Sequence, residues 1–484
     1  MAVSEFLYKG FLSKLKYEPT GCQESFFSSV AEFLSGDDND IFVLDGYAGT
    51  GKTTAVSAVI ATMAENKTKC VLLAPTGRAA KVLSHISGRK AYTVHKHIYR
   101  QKAVGRDGFG QFSLSPNKDR DTLFVVDEVS LIGIGGGDGQ NQSMAAFGSG
   151  NLLEDLVAFV RNGVNCKLLM VGDSAQLPPV GLDASPALSK EYMAMFGGTV
   201  FARMHTVVRQ KLESGILYNA TLVRKLIYDL YSYAGSLPRN ELGLSLDGYT
   251  DIERVSGGEL IDRIGEAYGK YGEDETMILC RSNKRAIRYN LGIRSTVQFK
   301  EERLVRGDKL MIVKNCYQFL EDHTDVDYIA NGDIAKLVKI GQFEERYGLN
   351  FAVARLAFPD YDDMEIVAKV VLDTLESESA ALTYEQQNAL YRGVDADYAI
   401  TYPNNKKKRY EAVREDRYYN ALQLKYAAAV TCHKSQGGQW KCVFIDNAFW
   451  QEEMTVDDLK WLYTALTRAV EKVYLVNFND EMFE

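Results

Sequence analysis

The sequence predicts an α/β protein with two doubly wound parallel sheets and a β-rich insertion in the second. Three observations carry this. Short apolar runs bounded by turn residues alternate with helix-length amphipathic stretches through the first half, the pattern of parallel βαβ units. The same alternation restarts near residue 276 and is interrupted between about 332 and 424. Inside the interruption the texture changes to strand-like runs followed by a charged, Tyr-rich stretch.

In the first half, strands are expected at 41–44, 71–74, 123–126 and 167–171, with helices over 53–65, 78–87 and 152–161. The second half offers a strand at 276–280, a helix from 283 to about 294 and strands at 427–431 and 443–445. A helix at 457–469 and a strand at 473–476 close the pattern. The insertion shows strand-like runs at 334–340, 350–358 and 365–372. At roughly 150 residues per domain, 484 residues give about three domains. The expected boundaries are 1–210 for the first lobe, with a hairpin insertion at about 101–121. Then come 211–332 for the first part of the second lobe, 333–425 for the β-rich insertion and 426–484 for the last part. The stretch 133–150, rich in Gly, Ser, Asn and Gln, reads as a loop with no derivable role.

Composition sets the class. With 46% apolar and 25% charged residues the chain is an ordinary globular protein, which excludes disorder, collagen-like repeats and small disulfide scaffolds. Seven scattered cysteines form no C-x-x-C pair, so free thiols in a reducing compartment are expected. The start lacks a signal-peptide core and no run nears the roughly 18 apolar residues of a membrane span, so a cytoplasmic protein without a membrane partner is expected. The formal net charge of −8 argues against a nucleic-acid partner if the charge is spread evenly. It is not. Residues 359–387 hold eight acidic residues and one basic residue, −7 of the −8. The acidity is confined to the insertion, which is expected to face away from a bound strand or to restrain its path by repulsion.

GYAGTGKT at 46–53 fits G-x-x-x-x-G-K-[ST], between an apolar strand and a helix. Glycines let backbone N–H groups turn inward around phosphates, and the helix N-terminus adds positive potential. Gly46, Ala48, Gly49, Thr50, Gly51, Lys52, Thr53 and Thr54 are the expected nucleotide contacts. Lys52 reaches the β/γ-phosphates and the Thr53 hydroxyl binds Mg²⁺. LFVVDE at 123–128 ends a strand in two carboxylates: Asp127 is expected to hold Mg²⁺ and Glu128 to orient the attacking water. These motifs support NTP hydrolysis but leave open what the energy drives.

The remaining motifs choose a class. PTGRAAKVL (75–83), TVHKHIYR (93–100), GDSAQLPPV (172–180), VVRQ (207–210), VTCHKSQGGQW (430–440) and YTALTRA (463–469) follow in order. Through them the sequence resembles superfamily 1 DNA helicases of the 5′→3′ branch, RecD-like and Dda-like, over essentially the whole chain. The resemblance implies two RecA-like P-loop lobes, a duplex-splitting hairpin in the first and an SH3-like β module in the second. It implies ATP-dependent DNA helicase activity, with translocation 5′→3′ on single-stranded DNA. Gln23 is then the adenine reader, Gln176 the γ-phosphate sensor, and Arg209 and Arg468 the arginine fingers. Pro75, Thr76, Thr93, His95, Thr431, His433, Lys434 and Ser435 contact single-stranded DNA, and Phe109 and Phe112 are the candidate wedges. Packing of either Phe on its lobe stays open, as does a structural role for His95 and His433. The basic run Lys406–Arg409 reads as a solvated loop. Expected partners are single-stranded DNA and single-strand/duplex junctions, with ATP and Mg²⁺ as cofactors and a monomer as the working form. Accessory replication or repair proteins remain open. The alternatives are an ATP-driven translocase that remodels protein–DNA complexes, and a non-motor P-loop nucleotide switch.

Overall fold

The apolar runs of the first half become strands β1 (Ile41–Gly46), β2 (Lys69–Ala74), β3 (Ala91–Thr93), β4 (Tyr99–Val104), β5 (Gly110–Leu114), β6 (Thr122–Val126), β7 (Lys167–Gly172) and β8 (Thr199–Met204). They belong to a computed structural model that describes residues 3–104, 110–135, 148–208, 213–233, 235–316, 318–320 and 329–484. Strands β4 and β5 pair as a separate two-stranded ribbon. The other six form one sheet in the order β3-β2-β6-β7-β1-β8. Its pairings are parallel, with Ile41 opposite Leu168 in β7 and Thr199 in β8. Every residue of β1 and β6 is buried, which is why these strands read as unbroken apolar runs rather than alternating ones.

Helices α1 (Val3–Ser13), α2 (Gly21–Ser35) and α3 (Lys52–Glu65) bring Phe11, Phe26, Phe27 and Phe33 onto Phe42 and Leu44 of β1. The Phe26 and Phe33 rings meet Phe42 at centroid distances of 5.9 and 5.4 Å. Each fully buried ring contributes about 2–3 kcal/mol. That core fixes the strand whose C-terminal end launches the phosphate loop.

Contacts divide the chain into two units. One comprises Met1–Ala103, Gly110–Arg254 and Ser435–Glu484; the other is chiefly Val255–Lys434. Each unit holds one pair of further parallel strands. In the first unit Trp440–Asp446 pairs in parallel with Ala469–Val476, and in the second Thr276–Cys280 pairs in parallel with Ala429–Thr431. The first unit therefore holds the P-loop, the acidic strand end, GDSAQLPPV and YTALTRA together.

The insertion is a closed barrel of β9 (Lys309–Ile312), β10 (Ile334–Arg346), β11 (Leu349–Phe358), β12 (Met364–Val371) and β13 (Leu422–Tyr426), the β-rich module that the resemblance implies. Antiparallel pairing joins β9 to β10 and β13, and β12 closes onto β13 in parallel. Two register shifts in β10, at Leu337/Lys339 and Gly341/Glu344, bend the strand as closure requires. Between β12 and β13 the Tyr-rich stretch forms two helices, Tyr384–Thr401 and Lys406–Glu415. The basic run is thus the first turn of a helix and not a loop: Asn405 caps it by accepting the Lys408 N–H, and Arg409 pairs with Asp395 at 2.7 Å.

The acidic residues of the barrel are partly compensated on the spot. Glu365, Glu376 and Glu378 pair with Arg355, Arg303 and Lys284. A buried carboxylate beside them gives a test. Asp333 Oδ2 accepts the Tyr361 hydroxyl and the Ala330 N–H, both at 2.7 Å, and burial pushes its carboxyl up to about 7. Because this pKa lies above the unfolded value, the folded barrel favours the protonated form. Stability is greatest at low pH, falls as pH rises from about 4 to about 7, and is flat beyond. Asp333→Asn is therefore expected to stabilise the chain by about 2 kcal/mol at pH 8 and scarcely at pH 4.5. Urea denaturation at both pH values checks this, and an equal effect at both would refute it.

All seven cysteines are free thiols. Among the described residues, no helix is long and apolar enough to cross a membrane.

Candidate nucleotide and single-strand site

The loop after β1 takes the conformation its glycines allow. Gly49 and Gly51 have φ of 77° and 79°, left-handed values that side chains disfavour. A Cβ on Gly51 would sit 2.6 Å from Gln23 Nε2. Lys52 opens α3 and folds back over the loop, donating to Gly46 O, with Nζ 3.7 Å from Asp173 Oδ2. The Thr53 side chain is half-buried and Thr54 exposed.

Asp127 and Glu128 follow β6. Asp127 Oδ1 accepts the Glu128 N–H at 2.9 Å, and burial together with the Glu128 charge pushes the Asp127 carboxyl up to about 7. Glu128 itself has φ 56° and ψ 37°, a left-handed backbone on a non-glycine residue. Such a conformation costs about 1–2 kcal/mol, and here it sits at the residue expected to orient water.

Gln23 is fully buried and already committed. Its Oε1 accepts the Thr20 N–H at 2.9 Å, closing a capping box on α2, and its Nε2 donates to Thr50 O at 3.3 Å. It therefore touches the phosphate loop directly.

Asp173, just after β7, is buried and receives two partners besides Lys52. The Tyr463 hydroxyl donates to Oδ2 at 2.7 Å, the Ala175 N–H to Oδ1 at 3.0 Å, and Ala48 N–H in turn donates to the Tyr463 oxygen at 2.8 Å. Three residues further on, Gln176 is buried with its Oε1 lacking a donor among the described residues. An unpaired buried amide oxygen costs roughly 1–3 kcal/mol. Leu177 is held from both sides: its N–H donates to Thr464 Oγ1 at 2.8 Å, and its O accepts from Gln436 Nε2 at 2.7 Å.

Arg468 is 2% exposed. Its guanidinium donates to Thr464 O, Gly438 O and Thr467 Oγ1, each at 3.2 Å. It thereby ties the end of the helix Val456–Leu466 to the glycine pair of SQGGQ. Arg209 and Phe109 lie outside the described residues, as do 136–147 of the glycine-rich stretch.

Two of the three threonines assigned to the single strand, Thr76 and Thr93, are helix caps. Thr76 accepts the Ala79 N–H at 3.2 Å at the start of Gly77–Ser87, and Thr93 accepts the Lys96 N–H at 3.2 Å at the start of Val94–Ile98. A capping hydroxyl keeps its own proton for an outside acceptor such as a phosphate. Pro75 and Thr431 are half-buried and His433 is exposed. Burial pushes the His95 imidazole down to about 4, so it is neutral at pH 7, and lowers the Lys434 ammonium. Ser435 and Phe112 are buried.

Sequence reasoning assigned no role to Asp173 or Tyr463, although both lie inside motifs it singled out. The available signal for Asp173 was its position just after an apolar strand, as for Asp127. Nothing local marks Tyr463, whose partners are distant in sequence.

Parts of the chain are similar to known proteins. The family described as AAA domain matches residues 28–138, and the UvrD-like helicase C-terminal domain matches residues 426–476. The ATP-dependent RecD2 DNA helicase of Deinococcus radiodurans is 38% identical over 40% of this chain and 22% of its own length. The ATP-dependent DNA helicase dda of Enterobacteria phage T4 is 30% identical over 22% of this chain and 25% of its own. An uncharacterized protein of Methanocaldococcus jannaschii is 24% identical over 90% of this chain and 36% of its own. The chain thus spans between 22% and 36% of the length of these relatives. A Pif1 helicase from Bacteroides, solved with ADP-AlF3 and ssDNA, aligns over 97% of this chain and 95% of that one, at TM-score 0.46 and 14% identity.

Proposed function

We propose that this chain, similar along its motifs to superfamily 1 helicases, is an ATP-dependent DNA helicase that translocates 5′→3′ on single-stranded DNA and unwinds duplex. One observation carries the reading. Leu177, beside the phosphate-sensing Gln176, is hydrogen-bonded both to Thr464, next to Arg468, and to Gln436 of the CHKSQGGQW segment. Nucleotide-facing and strand-facing motifs are parts of one hydrogen-bonded cluster. A nucleotide switch without mechanical work has no need of such a link.

In this reading Lys52 and the loop amides bind the phosphates, Glu128 orients the attacking water, and Gln23 turns its amide to the adenine. Hard oxygen donors suit Mg²⁺. Thr53 and Asp127 would hold it. Bound there, the ion supplies charge neutralisation at the β/γ-phosphates. The helix-capping Thr76 and Thr93 position the DNA backbone without reading its sequence.

ATP turnover is expected to rise at least tenfold with single-stranded DNA, and a 5′-tailed duplex is expected to open where a 3′-tailed one does not. Turnover indifferent to DNA would sink the motor reading. DNA-stimulated turnover that opens neither substrate would support a translocase that remodels protein–DNA complexes.

A further inference from the structure

Tyr463 stands on the helix Val456–Leu466, 1% exposed, with a hydroxyl whose two partners fix its proton. Ala48 N–H can only donate, and the Asp173 carboxylate, when ionised, only accepts. The phenol therefore takes a hydrogen bond from the phosphate loop and gives one to Asp173, at 2.8 and 2.7 Å. Lys52 approaches the same Asp173 oxygen and donates to Gly46 O. Two donors that a phosphate would seek, Ala48 N–H and Lys52, thus have acceptors within the protein itself.

We propose that Tyr463 is a positioning residue that latches the phosphate loop, and that an incoming triphosphate opens the latch by competing for the Ala48 N–H while it draws Lys52 to itself. The inference rests on the ATP-binding reading above. Once Lys52 turns to phosphate, Asp173 is a buried carboxylate held by the Tyr463 proton and the Ala175 N–H. Its remaining charged neighbour, Asp45, opposes it and is itself paired with Arg203 at 3.2 Å. The Arg224 charge acts on Tyr463 from Gly215–Tyr233. Burial raises the Asp173 pKa, whereas Lys52 and the phenol oppose that rise, so losing Lys52 strengthens the demand on Tyr463. The strain passes along a short path. Thr464, the next residue, holds Leu177, and its carbonyl holds Arg468. Occupancy of the loop is thereby transmitted to the residues that sense the γ-phosphate.

The test uses the full chain carrying Tyr463→Phe, Asp173→Asn or both. Equilibrium binding of a fluorescent ADP is read beside kcat and KM for ATP at saturating single-stranded DNA, with Tm as control. Tyr463→Phe frees the loop amide, so ADP is expected to bind about fivefold tighter, the worth of one net hydrogen bond. Its kcat is expected to fall at least tenfold while KM falls too, a split that simple loss of packing does not produce. Asp173→Asn is expected to tighten ADP binding likewise, and the double variant no further, because both act on one latch. Unchanged binding and kcat in Tyr463→Phe, or weaker binding in step with a lower Tm, would overturn the latch. A wild-type chain that binds ADP but never turns over ATP would defeat the ATPase reading instead, and the binding comparison would still judge the latch.

Discussion

Lys52→Ala is expected to reduce ATP turnover by about 10²–10³-fold, with and without single-stranded DNA, the cost of removing one preorganised charge from a phosphoryl-transfer site. The ammonium lies over the loop, bonded to Gly46 O and 3.7 Å from Asp173, and is 15% exposed, so its charge is only partly screened by water. The substitution acts on the free protein too. Asp173 loses its only cation within ion-pair distance among the described residues and binds a proton more readily. The variant is therefore expected to lose more stability at pH 8 than at pH 5. Phosphate release and urea denaturation measure the two effects. A Lys52→Ala variant with ordinary turnover would remove the loop from the reaction.

Glu128→Gln is expected to retain nucleotide binding and to lose turnover by about 10²–10⁴-fold, the range for deleting a positioned general base. Gln keeps the shape of Glu but cannot take a proton, and the left-handed backbone at this position is a property of the turn that either side chain inherits. The expected signature is KM for ATP nearly unchanged with kcat collapsed. The variant should also hold single-stranded DNA longer in the presence of ATP. If kcat survives, the attacking water is oriented elsewhere, and Gln176, buried with an unpaired oxygen, is the next candidate.

The elements legible in the sequence are those whose physics is local. The strand 41–44, the loop after it and the helix behind it carry their own apolar run, glycines and cap, and Thr276–Cys280 and Leu152–Arg161 match their expected spans residue for residue. What escaped notice depends on distant partners. The barrel strand Lys309–Ile312 is four residues long and acquires strand identity from Tyr426, Lys425 and Leu424 opposite it. Strand β8 is half-buried along most of its length and lacks the apolar run of β1. The helices Tyr384–Thr401 and Lys406–Glu415 are polar enough that periodicity does not separate them from a loop, and Leu390, Val394 and Val413 supply their buried contacts. At the site, Thr20 and Gln23 form a capping box legible as T-x-x-Q, yet the sequence suggested for Gln23 an adenine contact alone. The Tyr463 hydroxyl reaches Ala48 across 415 positions, a distance no local pattern encodes.

The pairing of Thr276–Cys280 with Ala429–Thr431, and of β9 with β13, has an evolutionary meaning. The chain leaves the parallel strands and returns to them at adjacent positions, about 4.8 Å apart across a sheet. Closure entropy grows only with the logarithm of loop length, so these strands tolerate an enclosed segment of almost any size. The barrel and its two helices are therefore an exchangeable cassette. Changes in its length or charge, acidic stretch included, are expected to leave the flanking strands in register.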